Sequence, residues 1–262
     1  NFGFNIDKKW IVTTPGVVFA LCQAVKAFTE PGDSVIVTKP VYYPFMTSIE
    51  ENGRKVVNSS LINKDGCYTV DFNDFEQKII ENDVKMFILC SPHNPVGRVW
   101  KEEELTKMAE ICAKHSVLVV ADEIHCDFVY PGQRHIPFLS LGPEFEQNTV
   151  CCTAPSKTFN LAGLQNSFLL LPDPALREKY DDFVRRVAHV SGGTEVGCIA
   201  AAAAFREGGP WLASVLDQVE ENYRAIRDIL AGKAPRAVVS PLEGPYLMWV
   251  DLGAYVKAEE MA

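Results

Sequence analysis

VLVVADEIHCDF, residues 117–128, decides the fold. It opens with five consecutive apolar residues and stops abruptly at two acids, Asp122 and Glu123. A short unbroken apolar run bounded by polar residues reads as a strand buried on both faces, the kind that a helix-covered parallel sheet requires. The carboxyl end of this strand then carries the acids. Four further runs repeat the pattern: VIVT (35–38), KMFILC (85–90), TVCC (149–152) and NSFLLL (166–171). Between them lie stretches with helical patterning at 15–29, 44–52, 71–82 and 101–115. The last two are amphipathic and carry acids near their starts, where the helix dipole favours negative charge. The alternation predicts an α/β fold with a mostly parallel sheet between helices. Ligands of such sheets bind at strand carboxyl ends, so chemistry is expected in the residues after each run.

Past residue 172 the pattern changes. Stretches 174–189 and 194–207 look helical, Gly208-Gly209-Pro210 is a break, and a long helix is expected from about 211 to 230. AVVS (237–240) and the strand-like EGPYLMWVDL (243–252) follow. The expected division is a large domain over 1–210 and, over 211–262, a linking helix with the start of a smaller α+β domain.

The chain has 262 residues, with 25 Lys and Arg against 34 Asp and Glu, a formal charge of −9. With 47% hydrophobic and 23% charged residues it has ample apolar surface for a core, which excludes a disordered chain. The acidic balance argues against nucleic acid as a partner, since that task needs a basic face. No apolar run approaches the ~18 residues of a membrane span. None of the eight cysteines forms a C-x-x-C pair, so a zinc site or thioredoxin-like motif has little support. Buried reduced thiols in a cytoplasmic protein are the expectation. No signal peptide opens the chain, which begins at Asn1. Its abrupt ends suggest a piece of a longer protein.

Five places along the chain carry candidate residues. In Thr14-Pro15-Gly16-Val17-Val18 a proline and a glycine open a helix, leaving free N–H groups at its positive end, an arrangement that binds phosphate although many helices begin this way. After VIVT comes Tyr42, whose face could stack on a planar ring or pack in the core. After KMFILC, two prolines and a glycine stiffen a loop presenting Asn94, an amide donor; an ordinary turn would look similar. Asp122 ends a buried strand, where an acid is costly unless paired. A cationic ring nitrogen of a cofactor would pair it; a metal set or a helix cap are alternatives, but ligands at metal spacing are lacking. His125 follows three positions later, where a structural histidine is also possible. After TVCC, Ser156 and Lys157 sit in a small polar turn. A lysine so placed can form a Schiff base with an aldehyde cofactor, or can be a surface loop residue. Together these make a phosphate cradle, a ring stacker, an amide donor, an acid and a lysine, the kit for pyridoxal 5′-phosphate. Asn94 and His125 could then hold the ring's phenolate oxygen.

With these residues in place the chain resembles the fold-type I pyridoxal phosphate enzymes of the class I/II aminotransferase superfamily, over nearly all its length. Within it the resemblance is to the cystathionine β-lyase (C–S lyase) branch. The strings that carry it are TPGVV (14–18), PVYYPF (40–45), SPHNPVGRVW (91–100), ADEIHCDFVY (121–130) and APSKTFNLAGLQ (154–165). The resemblance implies that Lys157 is the Schiff-base lysine and catalytic base, Asp122 the partner of the pyridine nitrogen, and Asn94 and His125 the holders of the phenolate oxygen. It further implies Tyr42 as the ring stacker, and Gly16, Val17 and Val18 as the phosphate cradle, to which Ser156 adds a hydroxyl. The implied activity is β-elimination from cystathionine or a related cysteine S-conjugate, releasing a thiol, pyruvate and ammonia. Transamination to a keto acid is the alternative, and a non-catalytic regulatory module a third reading. Aminotransferases usually place a phosphate-binding arginine eight residues after the lysine; here that position is Gln165, a change the lyase branch tolerates. The resemblance also implies a homodimer, an N-terminal tyrosine reaching the neighbouring subunit's cofactor, and a substrate-carboxylate arginine in the C-terminal small domain, both outside residues 1–262.

Overall fold

The computed structural model describes residues 2–257. Residue 1 of the expected 1–210 unit and residues 258–262 of the expected 211–262 unit lie outside the described residues. The chain runs β1 (Ile11–Thr14), α1 (Val17–Phe28), β2 (Ser34–Val37), α2 (Pro44–Glu50) and β3 (Lys55–Asn58). A hairpin of β4 (Ile62–Lys64) and β5 (Cys67–Thr69) leads to α3 (Phe72–Glu81), β6 (Val84–Cys90), α4 (Glu102–Lys114) and β7 (Leu118–Asp122). Next come α5 (Pro143–Glu146), β8 (Thr149–Thr153), the single turn α6 (Pro155–Thr158), β9 (Ser167–Leu170), α7 (Pro174–Asp182) and α8 (Glu195–Glu207). The long α9 (Gly209–Lys233) precedes a small ribbon of β10 (Val238–Val239) and β11 (Val250–Asp251). No helix of the described residues is long and apolar enough to cross a membrane.

Seven strands form one sheet in the order β1-β9-β8-β7-β6-β2-β3. Pairing is parallel from β8 through β3, and β9 is antiparallel to both of its neighbours. The five apolar runs all form strands, displaced by no more than a residue at either end. Asp122 lies inside β7, in register with Cys90, instead of just beyond it. β1 and β3 escaped the sequence reading because they are short edge strands, half-buried and therefore not continuously apolar.

Side chains alternate across the pleat. Met86, Ile88, Cys90, Leu118, Val120, Val150 and Cys152 face one side, where α1 packs with Ala20, Leu21 and Ala24 and α2 with Phe45 and Ile49. Phe87, Leu89, Val119 and Ala121 face the other, against Phe75 and Ile79 of α3 and Leu105, Met108 and Cys112 of α4. Polar residues cap the helices where the sequence pattern places their starts. The Asp71 carboxylate accepts from Asn73 N and Asp74 N (3.0 and 3.1 Å), and Asp173 caps α7 through Leu176 N (2.7 Å).

Two expected elements differ. The helix at 174–189 ends at Asp182 and continues as a π turn over Phe183–Val187, closing at His189 with a left-handed backbone (φ 52°). The run 243–252 is strand only at Val250–Asp251. The rest is drawn onto the loop after β6: Glu243 accepts from Arg98 Nε (3.0 Å) and Val99 N (2.9 Å), and Gly244 N donates to Gly97 O (2.9 Å). The linking helix expected at 211–230 is the longer α9, in which no residue is buried.

Candidate active site

Five strands running in one direction, β1, β2, β6, β7 and β8, end at one edge of the sheet, and a cavity of about 600 Å3 opens there. Every candidate residue from the sequence lines it: Gly16, Val17 and Val18 after β1, Tyr42 after β2, Asn94 after β6, Asp122 and His125 at and after β7, and Ser156 and Lys157 after β8.

The start of α1 forms one wall. Its first intrahelical bond runs from Ala20 N to Gly16 O (2.9 Å), so the N–H groups of Val17, Val18 and Phe19 have no acceptor within the helix. A Cβ added at Gly16 would meet no atom within 4 Å, because that position faces open space. An anionic group fits there, against free N–H donors and the positive helix end.

Asp122 is 4% exposed and its side chain accepts one hydrogen bond, from Ile124 N (3.1 Å). Burial pushes its carboxyl up to about 7; the Ile124 N–H works against that shift, Glu123's charge adds to it, and Lys157's charge opposes it. Such an acid is poised to ionise against a cationic partner in the cavity. Lys157 stands on the one-turn α6 directly after β8. His125 is buried, and burial pulls its ring down to about 4, with Lys157's charge acting the same way. The imidazole is therefore neutral at pH 7, and its Nδ1 has no partner. Burial raises Tyr42, with Asp122's charge adding to the shift, so its phenol also stays protonated.

The loops are held by residues outside the cavity. His93 Nε2 meets Pro40 O (2.8 Å), tying the Asn94 loop to the Tyr42 loop, and Trp100 Nε1 donates to Cys90 O (2.9 Å). Cys90 Sγ accepts Asn94 N (3.3 Å) from within the cavity wall. Arg98 bonds Glu243, Glu104 (2.8 Å) and the Tyr68 carbonyl, joining the loop to α4, the β4–β5 hairpin and the chain after α9. Glu123, next to Asp122, turns the other way and accepts from Phe138 N (2.7 Å) and His135 Nε2 (3.3 Å).

The sequence reading missed Tyr246, Leu247 and Asn166, and gave Gln165 no place in the cavity, yet all four line it. Tyr246 stands edge-on to His125 (5.4 Å) and Phe128 (4.8 Å). Nothing local marks Tyr246, because only the Glu243–Gly244 docking onto the loop after β6 brings it in. A planar ring with a basic nitrogen and an anionic tail, able to meet a lysine amine, matches this set of donors and acceptors.

The sequence model of the family described as aminotransferase class I and II matches residues 3–262. Cystathionine beta-lyase PatB of Bacillus subtilis is 43% identical over 97% of this chain and 65% of its own length. The crystal structure of cystalysin from Treponema denticola, which contains pyridoxal 5′-phosphate, is 39% identical and superposes with a TM-score of 0.92, covering 96% of this chain and 64% of that one. The pyridoxal phosphate-bound C–S lyase of Staphylococcus hominis is 32% identical, with a TM-score of 0.92 over 99% of this chain and 65% of that one. The chain thus spans just under two thirds of the length of these relatives.

Proposed function

The chain belongs to the aminotransferase class I and II family, and we propose that it forms part of a pyridoxal phosphate-dependent carbon–sulfur β-lyase. The substrate is cystathionine or a related cysteine S-conjugate, and the products are a thiol, pyruvate and ammonia. One observation carries the reading. Asp122 and Lys157 stand at neighbouring strand ends and line one cavity with the free N–H groups of α1. Similarity to lyases of this type, and Gln165 where aminotransferases carry arginine, favour elimination over transamination.

The residues present fit the cofactor. The open space at Gly16 beside donors without acceptors suits the phosphate, and the unpartnered His125 Nδ1 suits the ring oxygen. Bound there, pyridoxal phosphate supplies an electron sink for negative charge developing at the substrate Cα. Gly16, Val17 and Val18, with the Ser156 hydroxyl, hold the phosphate. Asp122 ionises and holds a proton on the ring nitrogen. Asn94 and the neutral His125 orient the ring oxygen, and Tyr42 covers the ring face. Lys157 Nζ is the covalent anchor and the base that takes the Cα proton, after which the thiolate leaves Cβ. Residues 1–210 serve as the large cofactor domain and 211–262 as the linking helix and start of the small one, in keeping with the absence of buried residues on α9. The working form is a cytoplasmic homodimer. The cytoplasmic setting draws support from eight free cysteines, five of them buried.

The test is incubation of the full-length protein with L-cystathionine and pyridoxal phosphate, without a keto acid. Pyruvate, ammonia and homocysteine are expected, and a Lys157→Ala variant should release none. Turnover that requires an added keto acid would replace this reading with transamination, and full turnover by Lys157→Ala would remove Lys157 from the mechanism.

A further inference from the structure

Among the described strands of the seven-stranded sheet, β9 alone begins, instead of ending, at the edge where the cavity lies. β1 and β9 pair with Thr14 opposite Ser167, and their hydroxyls meet at 2.6 Å in a buried contact. One step beyond that pair, the Pro15–Gly16 turn and the Gln165–Asn166 turn come together beside the start of α1. Gln165 has a left-handed backbone (φ 48°). In a regular strand successive side chains point to opposite faces. The left-handed residue interrupts the alternation, and both Gln165 and Asn166 line the cavity.

Asn166 is 3% exposed, and its Nδ2 is buried with no hydrogen-bond partner. Its Oδ1 lies on the other side, 3.9 Å from Cys198 Sγ. The start of α8 holds the side chain in place. A Cβ added at Gly193 would come 2.5 Å from Asn166 Oδ1, and one at Gly197 would come 3.0 Å from Asn166 Cβ. Thr194 Oγ1 donates to Leu164 O (2.6 Å), fixing α8 against this turn. The amide is confined, and its free end is a donor. Burying a donor without an acceptor is unfavourable, so a ligand of the cavity is the natural source of one. An anionic group at the α1 start would share the cavity with Asn166, across the β1–β9 pair from it.

We propose that Asn166 Nδ2 donates a hydrogen bond to a phosphate oxygen of pyridoxal phosphate, alongside the N–H groups of Val17 and Val18. This rests on the reading of the cavity as a cofactor site. Asn166 thereby contributes a neutral donor where Gln165 stands in place of a cationic one.

The experiment titrates the full-length apoprotein with pyridoxal phosphate and, separately, with pyridoxal, which lacks the phosphate. Asn166→Ala should weaken pyridoxal phosphate binding about tenfold to a hundredfold, the range for a hydrogen bond to a charged group, and leave pyridoxal within about twofold. Asn166→Asp keeps the size and sets a negative charge against the phosphate, so it should weaken pyridoxal phosphate binding further. Equal pyridoxal phosphate affinity in Asn166→Ala and wild type overturns the assignment. Equal losses for both ligands also overturn it, since the role is then structural. A wild-type protein that binds no pyridoxal phosphate overturns the reading of the cavity itself, and the assignment with it.

Discussion

Asp122 and Glu123 are adjacent in the chain, both 4% exposed, and lie in opposite regions of the molecule. Strand alternation sends Asp122 to the α1 side and Glu123 to the other. On Glu123's side the buried charges are engaged by protein. Glu123 accepts from Phe138 N and His135, and Arg98 reaches three separate elements. On Asp122's side the acid accepts from one N–H, while His125 Nδ1 and Asn166 Nδ2 have no partner. The scaffold's carboxylate and guanidinium are satisfied by protein, although His135 Nδ1 is unpartnered there too, whereas the cavity's acid accepts from a single protein donor.

The sharpest break in this comparison is Lys157→Ala, which should lower pyruvate release from L-cystathionine by at least about 10³-fold, while the melting temperature of the apoprotein hardly moves. On the proposed lyase reading, Asp122→Asn should follow with a loss of about 10²-fold in kcat, because an amide would not keep the ring nitrogen protonated.

The same variant has a signature in stability. In the folded apoprotein Asp122 keeps its proton up to about 7, whereas an unfolded chain releases it near 4. Between those values the native state binds more protons, so this group's contribution to stability falls as pH rises. His93 and His125 work in the opposite sense. Burial holds both at about 4, the unfolded chain takes up protons below about 6.5, and stability is lost as pH falls through that window. Asp122→Asn removes only the first contribution. Its melting temperature minus that of wild type should therefore grow from pH 4 to pH 7 by scanning calorimetry, and a flat difference would show that Asp122 ionises normally.

On the scaffold side the expected effects are on stability. Glu123→Ala leaves two buried donors unpaired and should cost about 2–4 kcal/mol in a denaturant titration. Arg98→Lys keeps the charge and loses the planar fork that serves three acceptors, for about 1–3 kcal/mol. The smallest change is expected at Arg186→Ala on the surface, where the pair with Asp182 spans 3.4 Å at side-chain exposures of 78% and 50%. That loss should stay under about 0.5 kcal/mol.

Much of this was legible in the chain. A buried strand must be apolar throughout, so VLVVA and KMFILC announce themselves, and in a parallel sheet the residue after each run belongs to the ligand edge. All nine candidate residues accordingly line one cavity. The same logic hid Asn166. It lies at the start of a run, a position that reaches the ligand edge only in an antiparallel strand, and NSFLLL has no local mark of direction. The sequence places Tyr246 in a strand because PYLMWV is apolar enough for one. Its true placement depends on Glu243 meeting Arg98, 145 residues away in sequence.

The sequence alone determined the α/β class, the strand cores and the residues that follow them, because apolar periodicity and turn chemistry act over a few neighbouring residues. Tertiary structure alone decided which way β9 runs, that Asp122 faces a cavity while Glu123 faces a partner, and that Asn166 and Tyr246 join the site. Those outcomes depend on strand pairing and long-range packing, where the energy comes from segments far apart in the chain and no single segment carries the answer.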